Sequence, residues 1–476
     1  MGCFDMRPSL AGLVFSILVA SIVAGCAPVG ANYARPEMRS PSEFRFVQEP
    51  AQAQSLADLP WWEVFDDVAL QTLVWEAVSN NLDVRVAAAR VEEARARAGI
   101  AKSFLYPQVD GTASYGLRVS SSTAKDNGLG DNDDHTRQSA VIGVGLSWEL
   151  DLFGRIRREH EAALAVVLAT DQGRRGVLVT LLADVATSYF RLRELDEQLA
   201  IARATLRIND DTVTYFRNRL DGGVSNRLEL DRIQALRSET AAAIPAIEND
   251  IAVTENALAL LLGRPPSTID REGNPLDMLP PAVPIGVPAS LLERRPDVVE
   301  AEQLLAAANA DIGAAKALFY PTISLTGFGG AVGADLSKFL GGTGAIWSVG
   351  AGLLQPIYNG GRNKANLAAA RARFDQALAQ YQKAALNGYR EVADALVTIQ
   401  KLATVRVERQ TGVTVLTDAA DLARSRYDSG LASYIEILTA DEDLFQQQLL
   451  LAQTRGAELR ARAEIYRALG GGWQQP

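Results

Sequence analysis

The sequence predicts a mainly α-helical chain that also carries four transmembrane β-strands, built by duplication of a helix–strand–strand–helix–helix unit. Three observations predict it. The chain matches itself at a nearly constant offset, long proline-free windows carry heptad-spaced apolar residues, and four segments of about ten residues alternate in polarity.

The N-terminus reads as a secretion signal. Arg7 precedes an apolar run from Leu10 to Ala24, too short to span a bilayer as a helix, which needs about 20 residues. Met6 is an alternative start to Met1. The run ends in Val23-Ala24-Gly25-Cys26, which resembles a lipobox, so residues 1–25 are expected to be removed and Cys26 lipidated. Ala27 follows the cysteine, not the Asp that favours retention at the inner membrane. Several acyl chains, at about 0.8 kcal/mol per buried methylene, would hold the chain on the membrane. Residues 26–66 are expected to be an extended segment.

The self-match fixes the rest. Asp83, Gly99, Lys102, Tyr106 and Pro107 recur as Asp297, Gly313, Lys316, Tyr320 and Pro321, an offset of 214. Gly154, Arg155, Arg219, Gly223, Glu229 and Leu262 recur as Gly361, Arg362, Arg426, Gly430, Glu436 and Leu469, an offset of 207. One length change of seven residues between Gly116 and Gly145 reconciles the two. The first repeat is therefore placed at 67–266 and the second at 291–476. Between them, 267–290 is a proline-rich connector, since proline cannot continue a helix.

Within the first repeat, Gln108 to Val119 alternates Asp110, Thr112 and Ser114 with Val109, Ala113, Tyr115 and Leu117. Ala140 to Leu150 sets Ile142, Val144, Leu146 and Trp148 against Gly143, Gly145 and Ser147. Strands are expected at about 106–119 and 138–150, and in the second repeat at about 320–331 and 345–357. Four strands cannot close a barrel, and open edges are not tolerated in lipid. A half-buried soluble sheet would alternate in the same way, but if these strands lie in the membrane several copies must share one barrel, eight strands from two or twelve from three. The polar, acidic stretch Ser120 to Thr136 suits an external loop.

After the strands, Leu178, Val185, Leu192, Leu199, Leu206 and Val213 recur every seven residues, a coiled-coil seam. Arg155 to Leu220 as one helix would reach roughly 100 Å. Gly173 and Gly176 should soften it, and Pro245 should kink the returning helix.

The composition excludes several functions. A net charge of -10 offers no basic field for nucleic acid. Cys3 and Cys26 both lie near the N-terminus, so neither a disulfide framework nor a cysteine metal site is expected. His135 and His160 have no clustered ligands around them, and no GxxxxGK[ST] loop is present. No catalytic residue, cofactor or metal is expected, and an enzyme is not. Trp61 and Trp62 read as packing anchors.

Several stretches together resemble the outer membrane factor family of TolC-like channels, and within it the NodT-type efflux lipoproteins. They are Cys26 to Tyr33, Trp61-Trp62-Glu63-Val64-Phe65, Arg295-Pro296-Asp297-Val298, Asn309 to Pro321, and Tyr466 to Trp473. The resemblance implies a homotrimer with a twelve-stranded outer-membrane barrel continued by a periplasmic α-helical barrel. It implies a passive exit duct for drugs or small metabolites, with no cofactor, driven by an inner-membrane pump of the resistance-nodulation-division type through a periplasmic adaptor.

It also assigns roles. Arg219 and Gly223, and Arg426 and Gly430, fall at helix–turn–helix tips that would contact the adaptor. Ile435 and Glu436 match the apolar and acidic positions of the second-repeat gate, with Leu228 and Glu229 as first-repeat counterparts. Thr439 stands where the family commonly has an acid, which directs attention to Glu436, joined by Asp441. Two alternatives are a type I protein-secretion channel of the same fold and a non-conducting coiled-coil lipoprotein of the envelope.

Overall fold

The computed structural model describes residues 28–41, 44, 62, 65, 67–120, 135–271, 276, 291–333 and 344–471. The signal, Cys26, Trp61, Trp473, most of the external loop and most of the connector lie outside the described residues. Eight helices are assigned among them: α1 (Val68–Asn80), α2 (Leu82–Ser103), α3 (Arg155–Asp221), α4 (Arg227–Leu261), α5 (Leu291–Arg294), α6 (Pro296–Ala317), α7 (Arg362–Asp428) and α8 (Tyr434–Leu469). The strands are β1 (Gln108–Ser120), β2 (His135–Leu150), β3 (Thr322–Gly333) and β4 (Ala345–Leu354).

The duplication is structural as well as sequential. Helices α2 and α6 have equal lengths at the 214 offset, and α3 and α7 have equal lengths at 207. The glycines Gly154, Gly223 and Gly263 have positive φ, as do their counterparts Gly361, Gly430 and Gly470. Capping follows the local sequence. Asp67 accepts from the Leu70 amide at 3.0 Å. Asn81 accepts from the amides of Asp83 and Val84 and donates to the Leu261 carbonyl. Helix α3 continues through Gly173 and Gly176, and α4 continues through Pro245. At Gly173 a Cβ would lie 3.3 Å from the Glu300 carboxylate, so this glycine lets α6 approach α3.

The chain divides into two compact units that do not follow the repeats, each drawing residues from both copies. One comprises Met1–Pro36, Val91–Ala169 and Glu302–Gln380 and holds the sheet. Its strands form an antiparallel meander in the order β1-β2-β3-β4. Paired residues share a face, which makes the face composition readable from the register. One face carries the rows Val109–Leu146–Gly327–Val349, Gly111–Val144–Gly329–Trp347 and Ala113–Ile142–Ala331–Ala345. These rows are apolar and largely exposed, with Val109 at 62%, Trp347 at 82% and Val349 at 80%, and the face turns polar only toward the β1–β2 loop, where Gln138 pairs with Leu117.

The other face carries Gln108–Ser147–Thr326–Gly350 and Asp110–Gly145–Phe328–Ser348. Strand β4 stops at Leu354, three residues short of the expected end, just before Pro356, which has no amide to donate. The Trp148 indole donates to the Leu105 carbonyl at 3.1 Å, and Phe153 stacks on Tyr320 at 4.7 Å.

The other unit comprises Glu37–Arg90, Thr170–Ala301 and Tyr381–Pro476 and is helical. Its core gathers Leu70, Val74, Leu182, Val185, Tyr189, Leu192, Leu258, Leu262, Tyr466 and Leu469. Trp62 is buried in it, edge-on to Trp75 at 6.0 Å, as a packing anchor. Of the heptad track, Val185 and Leu192 are buried and Leu178, Leu199, Leu206 and Val213 are partly buried, while Leu181, Leu195 and Phe216, each three positions on from a track residue, are buried. Arg295 is buried at the start of α6. It forks onto Asp297 at 3.0 and 2.7 Å and donates to Glu391 and to the Ala468 carbonyl.

Candidate gate and anchor sites

The tips form where glycine lets a helix reverse. At Gly223, φ is +73°, and at Gly430 it is +74°, a left-handed conformation that costs other residues about 1–2 kcal/mol. The amides of Gly223 and Val224 donate to the carbonyls of Leu220 and Arg219, and those of Gly430 and Leu431 donate to Tyr427 and Arg426. This is the same Schellman closure in both repeats. Each tip arginine also donates to a carbonyl five residues on, Arg219 to Val224 at 3.3 Å and Arg426 to Leu431 at 3.4 Å.

Past the turns, Asn226 caps α4 by accepting from the Glu229 amide, and Glu229 accepts from Ser225 Oγ at 2.5 Å. Leu228 and Ile435 are exposed, as are Val224 and Leu431. Beneath them Phe216, Leu230, Ile233, Ala423, Tyr434, Ile437 and Leu438 form a buried cluster that ties α3, α4, α7 and α8 together. Each tip thus has a fixed base and an apolar cap.

The two arginines find different partners. Arg219 donates to the Tyr215 hydroxyl at 2.9 Å and lies 5.5 Å from the Tyr215 ring and 5.6 Å from the Tyr427 ring. It therefore joins the first hairpin to the second through an aromatic face. Arg426 instead faces Glu436, with Nε 3.7 Å from Oε2 and both side chains about half exposed. Asp441 is not brought to Glu436. It turns toward α7 and pairs with Arg424 at 2.7 Å, while Arg424 also reaches Asp421. Burial pushes the Asp441 carboxyl above the ordinary range, Arg424 pulls it back, and Asp421 adds to the rise.

Tyr215, Tyr427, Tyr434 and Arg424 escaped the sequence reading. No periodicity could show two of them together, because Tyr427 lies at the end of α7 and Tyr434 at the start of α8; the turn between these helices brings both rings against Phe216.

Cys26 itself is outside the described residues, but the chain that follows it is held closely. The Val29 amide donates to the Phe153 carbonyl at 3.0 Å. Arg158 donates to the carbonyls of Val29 and Gly30 and to Asn32. Arg35 forks onto Glu302 at 2.7 and 2.6 Å. Gly30 crosses Gly313 so closely that a Cβ on Gly30 would lie 2.8 Å from the Gly313 Cα. This strap begins beside Gly154, four residues beyond the end of β2.

Among the described residues no helix is long and apolar enough to cross a membrane, and no three His, Cys, Asp or Glu side chains gather as a metal site.

Comparison with known proteins bears on these features. The model of the family described as outer membrane efflux protein matches residues 73–264 and 287–471. The chain is 35% identical to cation efflux system protein CusC of Escherichia coli O6:H1, over 96% of this chain and 98% of that one. It is 34% identical to the probable outer membrane lipoprotein SilC of Salmonella typhimurium, over 97% and 98% of the two chains. Among solved structures it is similar to the outer-membrane channel OprN, with a TM-score of 0.86 at 31% identity, covering 94% of this chain and all of that one.

Proposed function

Since the chain belongs to the outer membrane efflux protein family and is an outer-membrane channel of an efflux system, we propose that three copies close one twelve-stranded barrel. The observation that carries this is the sheet. Its apolar face suits lipid, and β1 and β4 each expose an unpaired edge at the ends of the meander. A β4 edge meeting the β1 edge of the next copy would satisfy every backbone group, as hydrocarbon requires. The duct is passive, carries drugs or small metabolites, and is driven by an inner-membrane pump of the resistance-nodulation-division type. A periplasmic adaptor would contact the tips at Arg219, Gly223, Arg426 and Gly430.

Cys26 is the lipidation site in this reading. It lies two residues before Pro28, whose ring packs on Gly154 at the foot of the sheet. Two residues span at most about 7 Å, so acyl chains on Cys26 would enter the membrane beside the barrel wall. Labelled palmitate incorporation should vanish in Cys26→Ser; retained label would refute the assignment.

The gate lies at Ile435 and Glu436, with Leu228 and Glu229 of the other hairpin. Asp441 supports it from the side by holding α8 to α7. Three Glu436 carboxylates around an axis repel one another, and each Arg426 offsets its own. A half-exposed pair contributes about 0.2–1 kcal/mol, so three together favour the closed tip by about 0.6–3 kcal/mol. Glu436→Ala should therefore raise open probability about 3- to 150-fold in planar bilayers. Unchanged conductance in a variant that still runs as a trimer would remove Glu436 from the gate.

A further inference from the structure

The polar face of the sheet holds one feature that the efflux reading leaves unused. In the row Asp110–Gly145–Phe328–Ser348, a carboxylate and an aromatic ring stand either side of a glycine. With strands about 4.8 Å apart, they are separated by about 10 Å. Gly145 leaves the space between them open, since a Cβ there would meet only the Asp110 carbonyl oxygen, at 3.9 Å. The Phe328 ring leans onto the next glycine of β2, so that a Cβ on Gly143 would lie 2.5 Å from Cζ. The ring forms one wall of the notch and the carboxylate the other.

The repeat does not dictate this arrangement. At the 214 offset Phe328 corresponds to Ser114, and Asp110 corresponds to Ser324. Both copies place serine where the other places a recognition group, so the wall residues are departures from a small, polar pattern. The apolar surface beside the ring extends through Val332 and Ile346, on β3 and β4, which flank Gly330 on this same face.

The charge is also available. Glu149, the other carboxylate on this face, is engaged by Arg155 at 2.9 and 3.1 Å. Asp110 is exposed, and among the described residues its side chain makes no hydrogen bond or ion pair.

We propose that the Asp110–Gly145–Phe328 notch is a transit subsite for organic cations with an aromatic or apolar body, the cationic group near Asp110 and the body against Phe328 and Ile346. This rests on the reading above, in which the polar face lines the lumen, so that three such notches ring the duct at one level. A carboxylate selects the charge, the ring packs on the aromatic or apolar body, and the bare glycine admits bulk that a side chain would exclude. Weak, repeated sites of this kind concentrate a solute without retaining it.

The test uses the full chain reconstituted in planar bilayers, with benzyltrimethylammonium and tetramethylammonium as probes. Benzyltrimethylammonium should reduce single-channel current at lower concentration than tetramethylammonium. Phe328→Ala and Asp110→Asn should each raise its half-blocking concentration about fivefold. Phe328→Tyr, which keeps the ring, should behave as the unaltered protein, and Ser348→Ala should change nothing. Equal half-blocking concentrations in all variants, or no discrimination between the probes, would overturn the subsite. Absence of any conductance would overturn the channel reading beneath it.

Discussion

Arg295 offers the most demanding test of the packing, because one side chain ties together three elements of the helical unit. Its side chain is 7% exposed. It makes four polar contacts: two to Asp297 at the start of α6, one to Glu391 on α7, and one to the Ala468 carbonyl in the last turn of α8. Gly388 and Gly470 leave room for it, a Cβ on Gly470 lying 2.8 Å from the Arg295 Cα. Arg295→Met would fill most of the volume but leave the Glu391 carboxylate and the Ala468 carbonyl without their donor. Breaking a buried, hydrogen-bonded ion pair from one side costs about 3–5 kcal/mol. If that cost falls on local opening, amide exchange in the flanking helix ends should accelerate by about two to three and a half orders of magnitude. Hydrogen exchange by mass spectrometry over 291–300 and 462–471 reads this directly. Arg295→Lys should fall between, since a point charge cannot fork onto Asp297 and still reach Glu391. An acceleration below tenfold in the Met variant, or a Lys variant equal to Arg, would refute the tie.

Two further outcomes follow from the geometry. The folded state raises the Asp441 carboxyl, so it binds that proton more tightly than the unfolded chain does; the associated stability is full below the ordinary carboxylate value near 4 and declines as pH rises through the raised one. Asp441→Asn should flatten this part of the pH dependence of melting without lowering stability at neutral pH, and a loss there would show that Arg424 outweighs burial. At Gly313 a Cβ would lie 2.8 Å from the Val29 carbonyl oxygen and 2.9 Å from Arg158 Cγ, so Gly313→Val should cost about 1–3 kcal/mol and free the strap to tryptic cleavage at Arg35. Gly99, its partner in the repeat, has nothing within 4 Å, and Gly99→Ala should stabilise α2 by about 0.5–1 kcal/mol. If the two substitutions gave the same cleavage pattern, the strap would not be what distinguishes them.

The sheet was legible residue by residue because a strand has a period of two and the register only confirms which neighbours share a face. Trp347, Val349, Ala351 and Leu353 could be assigned to one side from spacing alone, and the pairing with β3 puts them there. The long helices were legible for the same reason at a period of seven. At the start of α8 the acidic positions were legible but not their pairing. Glu436 and Asp441 are both acids near the start of α8, yet they are five residues apart, which turns them to different sides of the helix. One meets Arg426 at the tip and the other meets Arg424 on the flank, and only the packing of α7 on α8 decides which.

A repeated sequence also hides the places where its copies differ in surroundings. Gly99 and Gly313 match in the self-comparison, and so do Arg219 and Arg426, but a match in sequence carries no information about what lies opposite. The N-terminal strap exists once, so it can cover only one of two equivalent glycines; it covers Gly313, and that glycine alone is sterically required. The two tip arginines reach across to the opposite hairpin or back to their own, and hence one stacks on Tyr427 while the other pairs with Glu436. The two tips are therefore not held symmetrically within one chain. The first hairpin is held to the second by an aromatic contact that salt leaves largely intact, while the two arms of the second are tied to each other by a half-exposed ion pair that salt screens. Raising the ionic strength should loosen the Arg426 tip before the Arg219 tip, and a probe on each, at Leu431 and at Val224, would register the order. Simultaneous release would mean that the buried cluster around Phe216 and Tyr434, and not the two arginines, sets the stability of both tips.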